Sequence, residues 1–108
     1  MKIEEHIKKI IEDVLAKAGF TLHSIILFGS RARKDFDEES DYDILVIVKE
    51  DLNIKEIREL RVKVSTMLHR EIKFVPFDII LKSLKNFQEE KEVVNTISNE
   101  AFLEGMKV

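Results

Sequence analysis

Two short apolar runs flank a charged segment in the first half of the chain. The first, residues 25–28, ends at a Gly-Ser turn, and the second, residues 44–48, directly follows Asp41 and Asp43. Both runs are rich in β-branched residues and predict buried strands. Because side chains alternate between the two faces of a strand, Asp41 and Asp43 should project to the same side. This pattern predicts a sheet with two carboxylates at one edge.

The chemistry of these residues indicates a site for a metal ion and a nucleotide. Two neighbouring carboxylates are poorly suited to a core, but they supply the hard oxygen ligands that Mg²⁺ prefers, and substrate phosphates usually complete its coordination. Gly29 and Ser30, at the end of the preceding strand, can offer backbone N–H groups and a hydroxyl to those phosphates. Residues 25–48 are therefore predicted to form half of a metal–nucleotide site.

Asp78 is a third carboxylate within an apolar run. It interrupts the predicted strand 74–81, where a lone aspartate is costly unless it is paired. If this strand lies beside the second one, the three carboxylates can converge and hold two divalent ions for in-line displacement at phosphorus. Asp78 would then bind the second ion or accept the proton of the attacking hydroxyl.

Asn53 and Ser83 are the expected N-caps of two helices, and Gly19 and Gly105 are expected to end the first and the last helix. The apolar face of the last helix is predicted to contain Val93, Val94, Ile97, Ala101 and Phe102. Tyr42 should face away from the metal site, and a short helix is considered near Ser30.

Hydrophobic periodicity and capping residues predict the elements of the chain. The predicted elements are a helix over 2–18, strands over 24–28 and 42–48, a helix over 54–69, a strand over 74–81, and helices over 84–90 and 92–104. Pro76 predicts that the third strand is an edge strand or begins after the proline. The order favours an α+β sandwich, a small mixed sheet flanked by helices, and residues 1–108 as one domain.

Charge and composition exclude several classes of function. The net charge is −3 although 36% of residues are charged, so direct nucleic-acid binding is not expected. No apolar run approaches the roughly 18 residues that a membrane span requires. With no cysteine, disulfides and Cys-based zinc sites are excluded. We expect a cytoplasmic location.

The spacing of these residues resembles that of a known superfamily. Gly29-Ser30, ten residues, then Asp41-Tyr42-Asp43 resembles the signature of the DNA polymerase β-like nucleotidyltransferases. The runs GSRAR and SDYDILV, with a later apolar strand that holds Asp78, are similar to the minimal nucleotidyltransferase (MNT) branch. The resemblance covers nearly the whole chain and implies the polymerase β-like palm fold.

The resemblance also implies a role for each matching residue. Gly29 and Ser30 would hold the triphosphate of the incoming nucleotide, ATP. Asp41, Asp43 and Asp78 would be catalytic and would bind two Mg²⁺ ions, with Asp78 near the acceptor hydroxyl.

Two arginines match the family pattern after the Gly-Ser turn. Arg31 and Arg33 would bind the nucleotide, because a guanidinium beside a triphosphate offsets charge as pyrophosphate leaves. Lys34 departs from the pattern, since family members often have a glycine there.

Members of the MNT branch commonly act as the antitoxin of a HEPN-domain ribonuclease toxin. The resemblance therefore implies an enzyme that transfers AMP from Mg-ATP to a tyrosine hydroxyl of such a partner. Two alternatives stay open: a non-catalytic antitoxin that occludes the toxin, and nucleotide transfer to a small molecule such as an aminoglycoside. Homo-oligomer formation also stays open. The candidate contact residues, which could equally pack within the domain, are Phe87, Phe102, Leu103 and Met106.

Overall fold

A mixed four-stranded sheet with helices on both faces organises the chain. The computed structural model describes residues 3–29 and 41–108. In these residues the elements are α1 (Ile3–Lys17), β1 (Leu22–Phe28), β2 (Tyr42–Val48), α2 (Ile54–Glu71), β3 (Phe77–Ser83), α3 (Leu84–Glu90), α4 (Ile97–Glu104) and β4 (Met106–Lys107). The predicted α+β class is confirmed, and the bounds of β2 and α3 are as predicted.

The strand order is β3-β2-β1-β4. β2 runs parallel to β3, whereas β1 is antiparallel to both of its neighbours. β3 is an edge strand and begins directly after Pro76, as the proline predicts. The carbonyl oxygen of Pro76 still accepts a hydrogen bond from the Tyr42 N–H at 3.0 Å, which begins the β2–β3 pairing.

The sheet separates two apolar cores. The larger core lies under α1 and α2, and the smaller one lies under α3 and α4. The strand residues of the larger core are Ile25, Leu27, Tyr42, Ile44, Val46, Val48, Ile79 and Leu81. Those of the smaller core are Ile26, Phe28, Leu45 and Ile47. Because consecutive residues of β1 and β2 alternate between the cores, both strands are buried on two faces, as their unbroken apolar runs predict.

Capping residues begin α2 and α3 at the predicted positions. The Asn53 side chain accepts from the Glu56 N–H at 2.8 Å, and the Glu56 side chain accepts from the Asn53 N–H at 3.0 Å. This capping box begins α2 at Ile54. The Ser83 hydroxyl caps α3 in the same way by accepting from the Asn86 N–H at 3.1 Å.

The last helix is shorter than predicted. It begins at Ile97 instead of residue 92, because Asn95 has a left-handed backbone (φ 72°) and Thr96 supplies the N-cap. Val93 and Val94, expected on the apolar face of this helix, are therefore exposed. This part of the prediction was wrong, because hydrophobic periodicity does not reveal the left-handed residue that delays the helix.

The face that α4 buries also differs from the prediction. Its buried residues are Ser98 and Ala101, whereas Phe102 is 47% exposed. Ser98 is tolerated there because its hydroxyl donates to Glu90 Oε1 at 3.2 Å. Among the residues considered for partner contact, Phe87 is buried, and the side chains of Phe102, Leu103 and Met106 are exposed.

Gly105 ends α4, as predicted, and leads into β4, which the sequence analysis missed. A Cβ at this position would collide with the Ala101 carbonyl oxygen and with Ile26 Cγ2. The glycine therefore lets the chain turn tightly and pair with β1 through Met106 and Lys107. A strand of two residues carries no readable periodicity.

A hydrogen bond lies beside the ends of β1 and β2 that are far from Asp43. The Thr21 N–H donates to Glu50 Oε1 at 2.7 Å, and this hydrogen bond lowers the pKa of the Glu50 carboxyl. The contact joins the segment before β1 to the segment after β2. In the part of the chain that the structure describes, no helix is long and apolar enough to cross a bilayer.

Candidate active site

Three strand ends meet at one edge of the sheet. β1 ends there, and β2 and β3 begin there, because β1 is antiparallel to β2 and β2 is parallel to β3. Phe28 of β1 is the register partner of Asp43, and Asp43 is the register partner of Asp78. Residues that the sequence separates by 35 positions are thus brought to adjacent strands. Convergence of Asp41, Asp43 and Asp78 was predicted on the condition that β3 lies beside β2. This condition is met, and the register places Asp78 beside Asp43.

Asp43 and Asp78 share one face of the sheet. Register partners on adjacent strands project to the same side, about 4.8 Å apart along the sheet. Asp43 alternates with Tyr42 and Ile44, which belong to the larger core, so the two aspartates lie on the face of α3 and α4. Across the strands at this level of the face, the apolar Phe28 of β1 is followed by Asp43 of β2 and Asp78 of β3. Asp43 is half-buried and Asp78 is exposed, as expected for ligands open to a substrate.

Gly29 lies directly against the Asp43 carboxylate. A Cβ built at Gly29 would collide with Asp43 Oδ2. The backbone of Gly29 also has φ +74°, a conformation that residues with a side chain rarely adopt. Both constraints require glycine at this position, and together they place the first residue of the Gly-Ser turn beside the carboxylate pair.

Asp41 is exposed and precedes the first residue of β2. Within residues 3–29 and 41–108, no group of three or more His, Asp or Glu side chains is close enough to hold a metal ion. The structure therefore brings together Asp43 and Asp78 and does not add Asp41 to a three-carboxylate cluster. The donor set nevertheless fits a divalent ion, because two carboxylates from adjacent strands supply hard oxygen ligands and leave coordination positions for phosphate and water.

Four positions of the sequence analysis lie outside the described residues. These are Ser30, Arg31, Arg33 and Lys34, together with the short helix considered near Ser30. Their roles in nucleotide binding stay predictions.

An aromatic group lies on the opposite face of the sheet from the carboxylate pair. Tyr42 is buried there, as predicted for a residue that faces away from the metal site. Its ring stacks on Phe77, with the centroids 5.6 Å apart and an angle of 28° between the planes. His69 contacts Phe77 edge-on at 5.9 Å. The sequence analysis missed this group, although an aromatic residue directly before both Asp43 and Asp78 was a readable signal.

Comparison with protein families gives one match that covers most of the chain. The family model described as "Polymerase beta, Nucleotidyltransferase" matches residues 5–100, a range that includes the Gly-Ser turn and all three aspartates.

Two relatives come from Methanocaldococcus jannaschii. "Putative protein adenylyltransferase MJ0141" is 45% identical over 60 residues, which cover 56% of this chain and 61% of that protein. "Putative protein adenylyltransferase MJ0604" is 45% identical over 47 residues, which cover 44% of this chain and 47% of that protein. The matched residues thus span about half to six-tenths of the length of these curated relatives.

Solved structures support the fold. A toxin–antitoxin crystallised with AMP-PNP superposes with a TM-score of 0.59 at 23% identity, covering 98% of this chain and 72% of that one. A mutant of the toxin–antitoxin MntA-HpeT superposes with a TM-score of 0.56 at 21% identity, covering 98% and 71%. At this level of identity the likeness shows a shared fold, which accords with the four-stranded mixed sheet and its flanking helices.

Proposed function

Because the chain belongs to the polymerase beta nucleotidyltransferase family, we propose that it transfers AMP from Mg-ATP to a hydroxyl of a partner protein. The partner class is a HEPN-domain ribonuclease toxin, the acceptor is a tyrosine, and the transfer makes this chain an antitoxin. One observation carries the proposal: Asp43 and Asp78 are register partners on one face of the sheet, with Gly29 packed against Asp43.

The binding roles follow from the chemistry of each residue. Asp43 and Asp78, with Asp41 at the entry of β2, would hold divalent metal, two Mg²⁺ ions in the complete site. When bound, the metal would neutralise phosphate charge and lower the pKa of the attacking hydroxyl. Gly29 and Ser30 would bind the triphosphate through backbone N–H groups, and Arg31 and Arg33 would offset its charge.

The proposed reaction is an in-line displacement at the α-phosphorus of ATP. A bond forms between the acceptor oxygen and the α-phosphorus, and the bond from that phosphorus to the bridging oxygen of the β-phosphate breaks. Pyrophosphate leaves with the electron pair, and Asp78 accepts the proton of the acceptor hydroxyl. Asp78 suits this task because it is the more exposed carboxylate of the pair.

The comparisons support a protein acceptor and a toxin partner. The two archaeal relatives carry names that describe protein adenylyl transfer, and both superposed structures are toxin–antitoxins, one of them with AMP-PNP. The exposed side chains of Phe102, Leu103 and Met106 provide apolar surface beside the end of the sheet for such a partner.

The test is a transfer assay with α-labelled ATP and Mg²⁺, with and without the protein encoded by the adjacent gene. We expect label on the partner protein, no label after addition of a chelator, and no label with Asp43→Asn. Asp13→Asn is the matched control, because Asp13 is an exposed carboxylate on α1 that pairs only with Lys17, one helical turn away, among the described contacts.

Each alternative function gives a different result in this assay. Label on a small-molecule acceptor, with none on any protein, would indicate a small-molecule nucleotidyltransferase. A partner that is bound and inhibited without label would indicate an antitoxin that acts by occlusion. Equal transfer by Asp43→Asn and Asp13→Asn would refute the carboxylate site.

A further inference from the structure

Each carboxylate of the Asp43–Asp78 pair directly follows an aromatic residue. Tyr42 precedes Asp43, Phe77 precedes Asp78, and these two aromatic residues are themselves register partners. Because neighbouring residues of a strand project to opposite faces, the two rings lie on one face of the sheet and the two carboxylates on the other. The rings stack, with 5.6 Å between centroids and 28° between planes. The sheet thus carries a charged pair on one face and an aromatic pair on the other, at the same two adjacent positions.

The Phe77 ring also contacts a residue of a helix. His69 lies in the last turn of α2 and contacts Phe77 edge-on, with 5.9 Å between centroids. Its Nδ1 donates to the Ser65 carbonyl oxygen at 2.8 Å, which fixes the orientation of the imidazole. Phe77 therefore contacts a neighbouring strand and a helix, although it is the first residue of an edge strand.

The carboxylate end of β3 has few other restraints. Among the described strands, β3 pairs with β2 alone, and Pro76 lacks a backbone donor just before the strand begins. Two carboxylates in register also repel each other when no cation lies between them. Two contacts oppose this repulsion: the backbone hydrogen bond from Tyr42 N–H to the Pro76 carbonyl oxygen at 3.0 Å, and the aromatic stack on the opposite face of the sheet.

We propose that the Tyr42–Phe77 stack, with His69 against it, positions Asp43 and Asp78 for a shared divalent ion and thereby sets the metal affinity of the site. These aromatic residues are positioning residues, because they act through the aspartates that follow them and lie on the face away from the substrate. The proposal rests on the proposed function in one respect, namely that divalent metal binds to Asp43 and Asp78.

The experiment measures Mn²⁺ binding without nucleotide, from the free Mn²⁺ signal in electron paramagnetic resonance. It compares the wild type with Phe77→Leu, Phe77→Tyr and Phe20→Leu. Phe20 is the matched control, because it is also half-buried against the larger core but lies beyond the opposite end of β1. Phe77→Tyr keeps a ring that can stack, at a position that is only partly buried.

We expect Phe77→Leu to weaken Mn²⁺ binding roughly three- to tenfold, which is what loss of an aromatic pair corresponds to. Phe77→Tyr and Phe20→Leu should bind Mn²⁺ like the wild type. Phe20→Leu and Phe77→Leu should lower the metal-free unfolding temperature to a similar extent. A merely structural role of Phe77 would affect stability in this way without a selective loss of Mn²⁺ affinity.

Two outcomes would overturn the proposal, and they are distinguishable. Equal Mn²⁺ affinities of Phe77→Leu and Phe20→Leu, with normal binding by the wild type, would refute the positioning role and leave the proposed function intact. No Mn²⁺ binding by the wild type would refute the metal site and the positioning role together. If Phe77→Leu does not fold, Phe77→Tyr decides: binding tenfold weaker than in the wild type would show that a stacked ring is not sufficient.

Discussion

Replacing Gly29 with alanine tests the packing of the Gly-Ser turn against Asp43. Gly19 offers an internal control, because both glycines have left-handed backbones, with φ +87° at Gly19 and +74° at Gly29. At Gly19 an added Cβ would meet nothing within 4 Å, whereas at Gly29 it would collide with Asp43 Oδ2. Both substitutions therefore force a residue with a Cβ into a left-handed backbone, but only Gly29→Ala also brings the new methyl group against Asp43.

The shared cost can be estimated from the backbone alone. A residue with a Cβ in the left-handed conformation costs roughly 1–2 kcal/mol relative to glycine. For a protein of this size, each kcal/mol corresponds to a fall in the unfolding temperature of about 4–8 °C. Gly19→Ala should therefore lower the unfolding temperature by roughly 4–16 °C and leave nucleotide transfer unchanged.

Gly29→Ala should have the same backbone cost and a second effect on activity. The methyl group must displace either the Asp43 carboxylate or the backbone of residue 29 itself, and a misplacement of about 1 Å in an active site can cost on the order of 100-fold in rate. The assays are thermal unfolding and transfer from α-labelled ATP at a temperature where both variants are folded. Equal transfer rates for Gly29→Ala and Gly19→Ala would refute a role in transfer for the contact between Gly29 and Asp43.

Three further substitutions test the fold. Glu50→Gln should lower the unfolding temperature at pH 7. The pKa of the Glu50 carboxyl is lowered in the folded protein, so its ionised form stabilises the fold above the ordinary pKa of 4.5. This stabilisation is lost as the pH falls through the pKa of the folded state. A difference from the wild type that does not narrow between pH 7 and pH 3 would contradict this assignment. Asn53→Ala removes one half of a capping box and should reduce the free energy of unfolding by about 1 kcal/mol in urea titrations, whereas Asn86→Ala, at a position whose side chain caps nothing in the described contacts, should not. Phe87→Ala should cost about 3 kcal/mol in the same measurement, and a loss below 1 kcal/mol would show that α3 packs differently.

Elements with local signals could be predicted from the sequence. The bounds of β2 followed from its unbroken apolar run, and the starts of α2 and α3 followed from Asn53 and Ser83, whose side chains cap helices in the structure. Gly19 and Gly105 marked helix ends correctly. In each case the residues that determine the feature lie within a few positions of it.

Features that depend on tertiary contacts could not be predicted in the same way. The start of α4 depends on the left-handed Asn95, and β4 depends on pairing with β1. The proximity of Asp43 and Asp78 depends on the parallel register of β2 and β3, which the sequence analysis could state only as a condition. The spacing of the aspartates predicts a candidate site, but the fold alone determines which of them are neighbours.

The unequal size of the two cores has a consequence for cooperativity. From the described parts of α3 and α4, the smaller core receives buried Phe87 and Ala101 and partly buried Leu84, whereas α1 and α2 bury a continuous row of large aliphatic side chains in the larger core. The layer of α3 and α4 can therefore open at a lower free energy than the rest, while β1 and β2 stay paired. Its amide hydrogens would exchange through this partial opening, and those of β2 only through global unfolding. Since Asp43 and Asp78 lie on the face that this layer covers, the candidate site adjoins the layer that we expect to open first.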